Sequence, residues 1–173
     1  GHVTVLFLLS IIIGPLLRYE NLALSCPAIL YLLGRGHIKT ALITGGVLIL
    51  EIVGFSYFLY KLGLSVLPNS VLLKAAFTQE NSGALSTVLN VLIAPLSLII
   101  EKPAALRLAL LGVWLLALLL HSKTKPSDRW IAATVSLAII SHLLFGLFGW
   151  YSRYEIYIYL VSLLTIFYLL IIV

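Results

Sequence analysis

The feature that most constrains this chain is the recurrence of apolar runs, each some 15 to 20 residues long, over its whole length. One such run fits the core helix of a soluble protein. A series of them, parted only by short polar interruptions, offers more apolar side chain than a water-exposed surface can carry. The pattern predicts helices that cross a bilayer. Composition agrees: 10% of the residues are charged, against about 25% in a soluble domain, and mean hydropathy is +1.16. A membrane β-barrel is excluded by the same runs, because barrel strands alternate apolar and polar residues. The expected fold is all-α, a single polytopic transmembrane domain over residues 1–173. We expect about five spanning helices plus one re-entrant or interfacial helix.

The interruptions set the boundaries. Residues 3–17 and 22–33 read as short apolar helices flanking "RYEN" at 18–21. "GRGHIK" at 34–39 is a basic turn with two glycines, and 40–60 is a full span carrying Glu51. Residues 61–84, with Pro68, form the longest polar-leaning stretch and read as an outer loop. The apolar run 85–100 contains Asn90 and Pro95. Proline interrupts the helical hydrogen-bond ladder, which favours a re-entrant or interfacial segment over a plain span. Further spans are expected at 104–120, 130–148 and 156–173, with "HSKTKPSDR" at 121–129 as a second basic loop.

Orientation follows from the bases. Arg35 and Lys39 in one short loop, and Lys123, Lys125 and Arg129 in another, are expected on the cytoplasmic side. The net charge of +5 then reflects loop bias, and no nucleic-acid partner is expected. The same orientation puts both "RYE" copies and "LPNS" on the extracytoplasmic side, in a prokaryotic cytoplasmic (inner) membrane. Trp150, Tyr151, Tyr154, Tyr157 and Tyr159 suit an interfacial aromatic belt.

Charges at or inside a membrane boundary are costly and mark functional candidates. Arg18 and Glu20, Asn69 and Lys74, and Arg153 and Glu155 fall on one face by this orientation. Arginine presents a donor fork that matches phosphate, and lysine adds a compact positive charge. Three cations converging there would bind a phosphate or diphosphate. The competing reading is packing: Arg and Glu two apart do not face each other on one helix, and each would pair with a different neighbour or snorkel to headgroups. Glu51 is open between an interhelical hydrogen bond and a functional role, and His142 reads as a satisfied core histidine. Cys26, the single cysteine, reads as a small packed apolar residue and permits no internal disulfide. The histidines show no zinc-binding spacing, so no metal site and no cofactor is evident; nothing in the chain supports a divalent metal.

"LRYENLAL", a basic turn, one long span and then "LGLSVLPNSVLLKAAF" together resemble the polytopic GT-C glycosyltransferases, in particular the arabinofuranosyltransferase-like and mannosyltransferase-like members. The matching positions are Arg18, Tyr19 and Glu20, then Leu67, Pro68, Asn69 and Ser70, then Lys74, and a late Arg153 and Tyr154 before the final helix. The resemblance implies transfer of a sugar from a polyprenyl-phosphate-linked donor at the extracytoplasmic face. It implies that Lys74 and Arg153 hold the lipid phosphate, while Arg18, Glu20 and Asn69 shape the donor or acceptor pocket. The family's catalytic acid, in its first outer loop, has no match in these residues, so the catalytic residue is unassigned. With no methionine and an opening inside an apolar run, the expectation is the later part of a longer enzyme that needs an N-terminal half. A non-catalytic membrane subunit of a larger complex, and a lipid-handling or transport scaffold, are the competing readings. The repeated "RYE" is too short to count as a transporter's inverted repeat.

Overall fold

The computed structural model describes residues 3–64, 99–121, 125–145 and 155–172. Among these it consists of helices and turns, with no strand. The helices are α1 (Val5–Leu17), a 3-10 turn (Tyr19–Asn21), α2 (Leu22–Gly34), α3 (Ile38–Lys61), α4 (Pro103–Leu120), α5 (Pro126–Phe145) and α6 (Ile156–Ile172). The helices read at 3–17, 22–33, 40–60, 104–120, 130–148 and 156–173 are present, with ends shifted by a few residues. The re-entrant segment up to residue 98, most of the outer loop 61–84 and the "GWYSRY" segment lie outside the described residues.

Local chemistry explains the boundaries. Thr4 caps α1, its Oγ1 accepting from Phe7 N at 3.4 Å. Proline 15 has no N–H, which leaves the carbonyl of Ile11 without its helical donor. Ser25 Oγ on α2 donates to that carbonyl at 2.8 Å, so a neighbouring helix replaces the missing rung. Asn21 Nδ2 donates to Gly14 O at 2.8 Å one turn later. One side chain of the second helix and one of the 3-10 turn before it therefore tie down the proline-weakened end of the first.

The turn between α2 and α3 is a Schellman cap. His37 N donates to Leu32 O (2.9 Å) and Gly36 N to Leu33 O (3.0 Å), with Gly36 at φ +79°. Gly63 at φ +70° ends α3 in the same way. The fifth helix begins four residues before its expected start at 130. Pro126 suits a first turn where its missing N–H is no loss, and Asp128 in that turn complements the helix dipole. These signals lie within what reads as a basic loop.

The fifth helix is the centre of the bundle, packed against α2 on one side and against α4 and α6 on the other. The third helix packs on α2 and α1. Two apolar cores result. One joins Ala105, Leu108 and Leu115 of α4 with Ala132 and Ile139 of α5 and Ile158 of α6. The other joins Ile11, Ala28, Leu32 and Ala41 across α1, α2 and α3. At the seam between α2 and α5, a Cβ on Gly34 would stand 2.5 Å from the Trp130 ring, so glycine is what lets that ring lie against the helix end.

The helices alternate in direction, which gives the bundle two distinct ends. Gly34 against Trp130, and Tyr168 Oη donating to Asp128 Oδ1 at 3.4 Å, bring residues 34–39, the start of α5 and the end of α6 together. We refer to this as the basic end. At the opposite, motif end lie the 3-10 turn, the end of α5 and the starts of α4 and α6. The third helix has 24 residues and holds an 18-residue stretch with a mean hydropathy of 2.0, and α4 has 18 residues with 2.1; both are long and apolar enough to cross a membrane. Their outward side chains, such as Leu42, Ile43, Leu50, Leu110 and Val113, are exposed hydrocarbon.

Candidate functional site

Arginine 18 leaves the helical conformation, at φ −155° and ψ 126°, and the next three residues form the 3-10 turn. The argument that Arg and Glu two apart cannot meet assumes one continuous helix, and here the helix is broken between them. Arg18 Nε stands 3.7 Å from Glu20 Oε2, the Arg18 side chain being 31% exposed and that of Glu20 13%. A partly solvated pair at this distance contributes at most about 1 kcal/mol. It orients the two groups more than it stabilises them.

Above that turn the start of α6 and the end of α5 converge. The Tyr157 hydroxyl donates to the backbone carbonyl of Glu20 at 2.7 Å. It also lies 2.8 Å from His142 Nδ1. A phenol has one proton, and the Glu20 carbonyl takes it, so His142 must donate from Nδ1. The ring of His142 is fully buried and meets the Tyr157 ring edge-on at 5.5 Å between centroids. Glu155, also fully buried, starts α6: its carbonyl accepts from Ile158 N (3.1 Å) and Tyr159 N (3.0 Å). That places its carboxyl group at the positive end of the helix dipole. The charges of Glu20, Arg18 and Glu155 all act on the Tyr157 phenol. Tyr157, two positions after Glu155, thus ties the start of α6 to the first "RYE" segment, 137 positions away at Glu20.

Tyrosines 157 and 159 depart from the aromatic-belt expectation. Both are half-buried and bonded to protein carbonyls, Tyr159 Oη donating to Ala104 O at the start of α4. Such buried hydroxyls need a partner, and a helix start offers one. The exposed Arg107, donating from Nε to Pro103 O at 3.2 Å, adds a second arginine close enough to act on Tyr159. The sequence reading did not single out Arg107, and it took Tyr157 and Tyr159 as belt aromatics with no role at a site. A lone arginine inside an otherwise apolar helix was the available signal for the first; the tyrosines carried none.

Of the residues read as a substrate site, Arg18, Glu20 and Glu155 are brought together here. Asn69, Lys74, Arg153 and Tyr154 lie outside the described residues. Glu51 was not grouped with them, yet it lines a cleft of about 180 Å³ together with Arg18, Tyr19 and Phe55. Glu51 Oε2 and Tyr19 Oη are shielded there and have no hydrogen-bond partner, so the expected interhelical bond is not made by that oxygen. Cys26 is also corrected: it is exposed, because the buried face of α2 runs through Ser25, Ala28 and Leu32. Among the described residues, no group of three or more His, Cys, Asp or Glu is placed to hold a metal ion.

A larger cavity lies elsewhere. It measures about 600 Å³ and fills the gap between α1 and the α5–α6 pair, with α2 as its floor and Arg35 and His37 at one end. No family model, curated protein or solved structure matches the chain.

Proposed function

We propose that this chain is a membrane glycosyltransferase of the GT-C type, or a part of one, that transfers a sugar from a polyprenyl-phosphate-linked donor. The motif end would face the extracytoplasmic side of a prokaryotic inner membrane. About five helices would span, with α3 and α4 as the full-length members. The exposed hydrocarbon on those two helices supports a lipid surround, since patches of this kind are unfavourable in water. The thirteen-residue helices α1 and α2 are each about 20 Å long, short of the roughly 30 Å hydrocarbon core. The "RYEN" turn would therefore sit below the outer surface, where a lipid-linked phosphate can reach it.

The observation that supports the reading is the bond from Tyr157, beside Glu155, to the Glu20 carbonyl, which brings the first "RYE" segment and the start of α6 to one polar locus. In the proposed site Lys74 and Arg153 hold the donor phosphate, and fixed cations stabilise the negative charge that develops as it leaves. Arg18, Glu20 and Asn69 shape the pocket, with Tyr154 and Glu155 on its other wall. Glu51, sharing a cleft with Arg18, is the described carboxylate best placed to assist an acceptor hydroxyl. The alternative, a non-catalytic subunit, is favoured by one observation: Arg18, Glu20 and Tyr157 all have partners within the chain. Transfer assays on the full-length protein separate the two. Lys74→Ala and Arg153→Ala should abolish transfer with expression intact, and Glu51→Gln should lower it; wild-type rates in both cation variants would defeat the phosphate-site role, and no transfer by the parent chain would defeat the enzyme reading. Cysteines introduced at Ser70 and Lys125 should label from opposite sides, and labelling from one side would overturn the topology.

A further inference from the structure

We propose that the 600 Å³ cavity at the basic end binds one acyl chain of an anionic phospholipid, with the headgroup phosphate held by Arg35 and His37. The inference rests on the membrane reading above, but not on transferase activity.

Three observations carry it. First, the cavity is a gap between helices, with α1 on one side and α5 and α6 on the other. Its volume falls within the range of about 300–1,000 Å³ typical of small-molecule pockets. Along α2 its floor runs from Leu24 to Arg35, which is about 16 Å of helix and suits an extended chain. Second, half of the six hydroxyls on its wall have already spent their proton inside the chain. Ser10 Oγ donates to Phe7 O (2.7 Å), Ser25 Oγ to Ile11 O (2.8 Å) and Thr134 Oγ1 to Trp130 O (2.7 Å). Those three have no donor left for a sugar, whereas Phe7, Ile11, Leu24 and Val161 offer apolar contact. Third, the polar groups gather at one end only. Arg35 is exposed, and among the described residues it has no acidic partner. The first turn of α3, which follows His37, has no side-chain cap, so the positive end of that helix dipole is not offset by a capping group. Asp128, the nearby acid, is buried and bonded to Tyr168 and Ser127. A hydrocarbon slot ending in unopposed positive charge matches a chain with a phosphate at its end, and basic pockets between membrane helices recognise anionic headgroups.

Trp130, packed on Gly34 at this end, is the reporter. The full chain carrying Trp114→Phe and Trp150→Phe would be reconstituted into vesicles containing chain-brominated phosphatidylglycerol or phosphatidylcholine, and quenching of Trp130 measured. Flotation with the vesicles reads the membrane assignment separately. Phosphatidylglycerol should quench at a lower mole fraction, by roughly fivefold for each cation engaged. Arg35→Gln should remove most of that preference while both lipids still quench. Ser10→Phe, which narrows the gap, should weaken quenching by either lipid. Equal quenching by the two lipids in the parent, or a preference that survives Arg35→Gln, overturns the headgroup assignment. Undiminished quenching in Ser10→Phe, or none by either lipid in a chain that floats, overturns the chain's place in the gap.

Discussion

The two ends of the bundle are closed by different physics. At the motif end, helices from both halves of the chain are tied by hydrogen bonds: Tyr157 joins α6 to the 3-10 turn and to α5, and Tyr159 joins α6 to α4. At the basic end the seam between α2 and α5 is a steric fit, Trp130 over Gly34, and Arg35 and His37 border an open cavity. The comparison teaches that a repeated motif and open space need not coincide. Arg18, Glu20 and Tyr157 at the motif end have partners within the chain, while the larger of the two spaces lies beside "GRGHIK", a basic turn with no repeat in it.

The comparison can be broken from either end, and the seam should give the largest effect. Gly34→Leu forces a side chain into space the Trp130 ring occupies, and overpacking of this kind costs about 1–3 kcal/mol. Unfolding in mixed micelles would measure it, and Trp130→Ala in the same chain should recover most of the loss. If Gly34→Leu is neutral, the steric closure of the basic end is wrong.

At the motif end, Tyr157→Phe leaves the Glu20 carbonyl and the His142 Nδ1–H unbonded. Buried unpaired groups cost about 1–3 kcal/mol, and hydrogen bonds between membrane helices average about 0.6 kcal/mol, so a loss of about 1–2 kcal/mol is expected. The His142 ring should also show a changed Nδ1–H signal in nitrogen-15 spectra. A wild-type spectrum would mean that the first "RYE" segment and the start of α6 are not joined there.

Between the ends, Ser25→Ala should cost about 0.5–1 kcal/mol by exposing the Ile11 carbonyl. The cost should vanish in a Pro15→Ala chain, whose restored N–H can rebuild the helical rung. A double-mutant cycle measures this, and equal costs in both backgrounds would show that the serine acts some other way. The smallest effect belongs to Cys26→Ala, expected within about 0.5 kcal/mol because the side chain is outside the packed faces. A lipid-soluble maleimide should label Cys26 in the folded protein.

How much of this was legible in the residues varies by element. The helices at 5–17, 22–34 and 38–61 follow from run length and from breakers, because apolar periodicity and glycine or proline punctuation act locally. The early start of α5 was equally local, signalled by Pro126 and Asp128 inside an apparent loop. The proximity of Arg18 and Glu20 was not legible, because it depends on a break in the helix that lets side chains two apart share one side. The pairing of Ser25 with Pro15 has a local half, the missing N–H, and a tertiary half, the helix that supplies the substitute.

By itself the sequence determined an all-helical chain with bases gathered in short turns, since hydrophobic run length and turn chemistry depend on near neighbours alone. The tertiary structure decided which polar residues meet. Tyr157, His142, Glu20 and Glu155 lie on three separate elements, and no spacing rule relates them. Only the antiparallel packing of α5 between α2 and α6 brings them together, and the same packing leaves the gap at the other end, because α1 is held to α2 and α3 and not drawn into the α4–α6 core.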